Sequence, residues 1–119
     1  MGMIIRTTLY PLRLKFNEKK NFELELEVEN EDDKAKMVSV SIVLPDAVTF
    51  STVSHTTEWS KNFQNFKRLG KVGMKIPIYM ARRAEPGNFS GKIIVQEHFN
   101  EFGVVEREFR KEVPFRLYE

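Results

Sequence analysis

The residues best suited to chemistry in this sequence are three aromatic rings that stand among basic side chains. The rings and the basic residues together span ten residues. The rings are those of Trp59, Phe63 and Phe66, and the basic residues are Lys61, Lys67 and Arg68. Rings that stack on bases, interleaved with cations that neutralise phosphates, are typical of single-strand nucleic-acid binding. The alternative is structural, with the rings packed over the open end of the fold to remove apolar area from water at about 25 cal/mol per Å². Because soluble proteins seldom expose several rings together, we expect Trp59 and at least one phenylalanine to pack there.

A second candidate contact is Phe102, which lies in the loop 100–103 between two predicted strands. Exposed aromatic side chains on loops often anchor protein interfaces. The other interpretation is that Phe102 folds back over the end of the domain, and the sequence leaves both open.

Catalysis has little support in the sequence. The two histidines, His55 and His98, are not part of a nucleophile motif, and Glu97 and His98 alternate on a strand so that they face opposite sides. Glu23 and Glu25 share one strand face about 7 Å apart, but an exposed row lacks the burial that tunes catalytic carboxylates. We therefore expect no enzyme activity, no cofactor and no metal site.

Composition indicates one globular domain over residues 1–119, with 41% hydrophobic and 30% charged residues. Met1 and Gly2 are interpreted as an addition before a natural start at Met3. There is no cysteine and no apolar run long enough to span a membrane, so we expect a cytoplasmic protein without disulfides or membrane contact.

Charge is unevenly distributed although the formal net charge is only +2. Residues 22–33 hold seven acids and no base, whereas residues 58–83 hold seven bases and one acid. One interpretation is cross-strand pairing on a solvated sheet face. The other is a basic surface for a polyanionic partner.

The elements that must position these residues are β-strands. In Phe22–Asn30 apolar residues alternate with glutamates, a period of two that only a half-buried strand explains. Related alternation recurs in the segments 37–44, 72–80, 89–97 and 104–118. The sequence therefore predicts an all-β, antiparallel two-sheet fold.

Several segments depart from simple alternation. Pro11 and Pro77 predict edge or kinked strands, because proline cannot donate to a ladder. A turn is expected at 17–21 and one helical turn near 60–66. In the last strand Arg107 and Lys111 fall on the apolar face, which predicts a bulge or bend near 111–114.

Strands at this spacing describe a single immunoglobulin-like sandwich of about seven strands. Three motifs go further: a strand ending in Val28–Asn30, a strand closing in Leu44-Pro45, and the turn Pro86–Phe89. With them the segment 22–95 resembles prokaryotic immunoglobulin-like modules of the CARDB and NEW3 type. The resemblance implies a non-catalytic module in which Asn30 caps a turn and Phe89 replaces a corner tyrosine.

Two functional hypotheses follow. The first is a cytoplasmic protein-interaction or structural module that acts through loops or edge strands, with a protein partner or a second copy of the chain. The second is single-strand nucleic-acid or polyanion binding through residues 59–83.

Overall fold

The computed structural model describes residues 2–16, 18 and 20–119 of the chain, and all the regular structure in that part is β-strand. The predicted turn at 17–21 falls partly outside the described residues, at Asn17 and Lys19, as does Met1. Gly2 is buried, and its carbonyl accepts a hydrogen bond from the Glu31 N–H at 2.8 Å.

The described residues form nine strands, two of them only three and two residues long. They are β1 (Met3–Tyr10), β2 (Arg13–Lys15), β3 (Asn21–Asn30), β4 (Lys36–Val43), β5 (Val48–Thr49), β6 (Glu58–Phe66), β7 (Lys71–Met80), β8 (Gly87–His98) and β9 (Val105–Tyr118). The segment 60–66, where a helical turn was expected, is strand. That prediction was wrong because the spacing of Phe63 and Phe66 reflects a register shift in β6 rather than a helical repeat.

These strands form two sheets. The first has the order β1-β3-β7-β5 and the second β2-β9-β8-β4-β6. The all-β, two-sheet prediction is confirmed. Pairing is antiparallel throughout except between β2 and β9, which run parallel over three residues.

The alternation in β3 has the predicted effect. Phe22, Leu24, Leu26 and Val28 are fully buried, while the glutamates between them face outward. Inward residues of the second sheet complete the same core, and the rings of Phe22 and Phe115 meet edge to face with centroids 5.4 Å apart. The two sheets therefore pack face to face around one hydrophobic core.

The outer face of the first sheet carries cross-strand ion pairs. Arg6 of β1 lies 2.9 Å from both Glu27 and Glu29, and Lys75 of β7 lies 3.6 Å from Glu25. These contacts account for part of the acidic row by pairing across neighbouring strands. On the second sheet, donors from Gln96 and then Arg110 hold the pKa of Glu108 below its ordinary value.

A bulge or bend was predicted near 111–114, and the bulge is excluded by the strand pairing. Pairing between β8 and β9 keeps one register from Leu117 to Arg107, and the shift lies at Glu97/His98. Both basic side chains have protein partners instead. Arg107 lies 3.7 Å from the buried carboxylate of Glu97, and Lys111 donates to the carbonyl of Ile5 at 3.2 Å.

Both proline predictions agree with the structure. Pro11 follows a cis peptide bond where the chain leaves β1 in one sheet for β2 in the other. Pro77 lies in β7, which has a neighbour beyond β3 only at Tyr79 and Met80. Over most of its length β7 is therefore an edge strand.

Candidate functional site: the open edge of strand β6

Strand β6 lies at the edge of the second sheet and pairs with β4 on one side only. The Leu44 N–H donates to the carbonyl of Thr57 at 2.8 Å, so this pair of residues is a hydrogen-bonded pair and fixes the pattern for the rest of the ladder. Because antiparallel pairs alternate between bonded and non-bonded positions, Trp59, Lys61 and Phe63 direct their backbone groups to β4.

The same alternation turns the backbone groups of Ser60 and Asn62 away from β4. Both residues are exposed. Each one presents an N–H and a C=O along the free edge, spaced as an incoming strand requires. The edge is therefore a site made of backbone, and the nine residues of β6 include no proline to interrupt it.

The side chains beside this edge include three of the predicted binding residues. Trp59, Lys61 and Phe63 pair with the buried residues of β4, so they lie on the inner face of the sheet. The two rings are half-buried against the core, and the Lys61 ammonium lies 5.4 Å from the Phe63 ring centroid. Packing at this margin leaves part of each ring accessible at the edge.

Phe66 has a different role from the other two rings. It is 3% exposed and belongs to the core, and its ring meets that of Phe63 at 5.6 Å. The expectation that the rings pack against the core is confirmed, but they line the side of the fold along β6 rather than its open end.

Lys67 and Arg68 follow in the exposed turn between β6 and β7. A hydrogen bond from the side chain of Asn30, which is fully buried, stabilises this turn. The Asn30 amide donates to the carbonyls of Lys34 and Lys67 at 3.0 and 3.2 Å, and its oxygen accepts from the Asp32 N–H at 2.9 Å. Asn30 therefore ties two turns together, a wider role than the single cap expected from the sequence.

The basic residues of segment 58–83 do not share one surface. Lys61 lies on the inner face of β6, Lys75 pairs with a glutamate on the outer face of the first sheet, and Lys67 and Arg68 lie in a turn. Arg82 and Arg83 follow the far end of β7, roughly 30 Å along the strand from that turn. Clustering in sequence therefore does not produce one continuous basic patch.

The remaining open edges differ from β6. In the β3–β7 ladder the Asn30 N–H donates to the Gly70 carbonyl at 2.9 Å. Because hydrogen-bonded and non-bonded pairs alternate from there, the nitrogen of Pro77 faces away from β3, toward the free edge of β7. On β1, the outward carbonyl of Ile5 already accepts from Lys111. Proline and inward lysine are recognised protections of sheet edges, and of the two β6 carries the lysine, Lys61, but no proline.

Phe102 lies against His98, with ring centroids 5.2 Å apart, and is half-buried. Of the two interpretations of this loop, the structure shows the ring folded back. The exposed aromatic side chain there is Phe99, at 59% exposure. His98 is itself buried and shares a hydrogen bond of 2.8 Å with the Ser39 hydroxyl.

The two histidines lie at opposite ends of β4. His98 pairs in register with Met37, near the start of β4, whereas His55 lies beyond its end, 3.8 Å from Asp46. The length of β4 between them is about 20 Å, too great for one catalytic pair. Within residues 2–16, 18 and 20–119, no group of three or more potential ligands is placed to hold a metal ion.

Sequence reasoning found the aromatic residues but missed the site to which they belong. The groups that would bind a strand at this edge are peptide N–H donors and C=O acceptors. Because nearly every residue has them, no residue type in the sequence identifies them. The one available signal was the spacing of Trp59, Lys61 and Phe63 at every second residue, whereas the three-residue spacing of Phe63 and Phe66 was interpreted as one helical turn. No helix in the described part of the chain is long and apolar enough to cross a membrane.

Comparison with known proteins gives a fold and no family. No family model matches the chain, and no curated protein matches it. Among solved structures it is similar to the Pseudomonas fluorescens alkylpurine DNA glycosylase AlkC bound to DNA containing an abasic site analog, with a TM-score of 0.60 and 13% identity. The match covers 99% of this chain and 31% of that one, so this chain spans about a third of the glycosylase's length. At this identity the likeness concerns the fold alone.

Proposed function

We propose that this chain is a non-catalytic interaction module of the immunoglobulin-like type, related to prokaryotic CARDB and NEW3 modules and working in the cytoplasm. The strand orders of the two sheets support the type, because long antiparallel strands pack in two layers and one short strand adds in parallel at an edge. The buried Asn30 at the end of β3 supports the relationship, since it occupies the position that the motif implies.

The observation that carries the function is the free edge of β6. Strand addition draws affinity from main-chain hydrogen bonds and specificity from side-chain pockets beside the edge. Ser60 and Asn62 supply the main-chain hydrogen-bonding groups, and half-buried Trp59 and Phe63 supply the side-chain surface beside the edge. The occupant that fits is an extended strand, and the one we propose is β6 of a second copy of the chain.

Self-pairing fits the sequence of β6. With two antiparallel copies centred on Asn62, Lys61 of one copy lies opposite Phe63 of the other, within the part of β6 that precedes its register shift. The Lys61–Phe63 pair repeats across the interface a cation–ring contact that the chain already makes within itself. No two like charges are brought opposite each other in this register.

Sedimentation velocity over a range of concentrations tests the proposal. We expect the unaltered chain to form a dimer and Ser60→Pro to remain monomeric, because the lost N–H faces the free edge and not β4. Ser60→Ala is the matched control that keeps the N–H, and it should dimerise like the unaltered chain. Thermal unfolding checks that the proline variant still folds. A chain that stays monomeric at every concentration contradicts the proposal, as does a dimer that Ser60→Pro leaves intact.

The second candidate function is single-strand nucleic-acid binding at the same margin. It is favoured by one observation, the Lys61 ammonium over the Phe63 ring beside a partly accessible Trp59. Such a site predicts quenching of Trp59 fluorescence by an oligonucleotide and a steep loss of binding with added salt. Absence of quenching at low salt eliminates this candidate and leaves strand addition unaffected.

A further inference from the structure

A groove of about 980 Å³ lies at the end of the molecule where β7 finishes. One wall is the loop 49–55 and the other is the turn that follows β7, from Met80 to Arg83. The volume is near the upper limit of small-ligand sites, which are roughly 300–1,000 Å³. It could hold a molecule considerably larger than a single ion.

The first wall is built around the side chain of Thr49, which is 5% exposed. Its hydroxyl lies 3.2 Å from each of the carbonyls of Ser51, Ser54 and Thr56, and it accepts from the Thr56 N–H at 2.9 Å. The hydroxyl has one proton and donates to one of these carbonyls at a time, so both ends of the loop lie close to one buried atom. The loop therefore has a defined shape, although most of its residues are exposed.

The second wall carries two arginines in a fixed turn. The Ala84 N–H donates to the Ala81 carbonyl at 3.1 Å, which makes Arg82 and Arg83 the two central residues of the turn. The Ala81 N–H donates in turn to the Ala47 carbonyl at 2.9 Å, which anchors the turn to the chain beside β5. The backbone that bears both arginines is therefore fixed by hydrogen bonds, and both side chains line the groove.

The electrostatic balance of the groove favours an anion. Arg82 and Arg83 are exposed and make no ion pair with any carboxylate in the described part of the chain. Asp46 carries the one carboxylate among the described lining residues, its side chain is fully exposed, and it lies 3.8 Å from His55. Ser51, Thr52 and Ser54 add hydroxyl groups, while Met80 and Val53 add apolar surface.

We propose that this groove binds a small phosphorylated molecule. Guanidinium groups present paired donors that match phosphate oxygens, and hydroxyls complete the set of donors around them. The apolar surface and the volume beyond the arginines suit an organic group attached to the phosphate. The inference goes beyond the proposed function, since it uses none of the residues of the β6 edge.

Backbone amide NMR titration with inorganic phosphate and with phenyl phosphate tests the assignment. We expect shifts confined to residues 46–56 and 80–84, and tighter binding of phenyl phosphate because its ring can cover Met80 and Val53. The double variant Arg82→Gln/Arg83→Gln should weaken binding by about tenfold or more, as expected for charge-assisted hydrogen bonds. Both residues are exposed, so the variant should keep the thermal stability of the unaltered chain.

The matched control is Lys92→Gln/Arg116→Gln, which removes the same charge from exposed positions on the second sheet. It should leave both affinities unchanged, and so should Ser60→Pro, which separates this site from the strand-addition edge. Equal weakening in the charge control, shifts spread over all basic surfaces, or no binding up to about 10 mM ligand overturns the proposal.

Discussion

Asn30 shows how one side chain can hold together parts of the chain that are distant in sequence. It is fully buried, and its amide and carbonyl groups join the turn after β3 to the turn between β6 and β7. A buried polar side chain stabilises the fold only while its donors and acceptors are all hydrogen-bonded. Each buried group left without a hydrogen bond lowers the free energy of unfolding by about 1–3 kcal/mol. The position of Lys67 and Arg68 therefore depends on a residue more than thirty positions earlier.

Replacement of Asn30 should be among the most costly polar substitutions in the chain. Asn30→Ala leaves the Asp32 N–H and the carbonyls of Lys34 and Lys67 without their partner, and we expect a loss of about 2–4 kcal/mol in the free energy of unfolding. Urea denaturation measures it. Asn88→Ala, at an exposed position in β8, is the control and should change stability by less than about 0.5 kcal/mol. Similar losses for the two variants would show that the Asn30 bonds contribute little.

At the level of elements, the free edges are not equivalent. β7 is interrupted by Pro77, β1 has the Ile5 carbonyl occupied by Lys111, and β9 carries both Lys111 and Pro114. β6 carries an inward lysine, Lys61, and a register shift between Phe63 and Phe66, but no proline. Since a strand edge without proline is a template for another strand, we expect association to use β6.

Removing the protection of β7 should create a second associating edge. Pro77→Val restores an N–H that faces the free side of β7, in line with the outward groups of Lys71 and Lys75. In a Ser60→Pro background, where β6 is blocked, we expect this change to produce concentration-dependent self-association by sedimentation velocity. The parent Ser60→Pro protein is the control. If both proteins remain monomeric, Pro77 does not protect the edge.

At the level of the whole molecule, stability depends on the contact between the two sheets. Residues from both sheets form one cluster of buried side chains, and Phe22 and Phe115 meet across it. Neither sheet can bury its apolar face without the other, so we expect the chain to unfold as one cooperative unit.

The Phe22–Phe115 contact should be measurable as a coupling energy. A double-mutant cycle with Phe22→Leu and Phe115→Leu should give about 0.5–1.5 kcal/mol, the usual value for an edge-to-face pair. The control cycle combines Phe115→Leu with Val28→Ala, about 20 Å along β3 from Phe22, and should be additive. Coupling of the same size in both cycles would point to a general loosening of the core instead of a direct contact.

The sequence alone determined the fold class and the buried face of most strands. Alternation such as that of Phe22–Asn30 is a local property, because successive side chains of any strand point to opposite faces, and in this strand only one face is apolar. The sites of Pro11 and Pro77 were predictable for the same reason, since the absence of an N–H excludes them from a central ladder wherever they lie.

Tertiary structure decided which strand edges remain free and which distant residues meet. Nothing in residues 58–66 indicates that β4 pairs with them on one side and that the other side stays open. Likewise Lys111 appeared to require a bulge until the carbonyl of Ile5, 106 residues away, was placed beside it. These features depend on long-range pairing, which also forms the candidate edge and the groove beside Arg82 and Arg83.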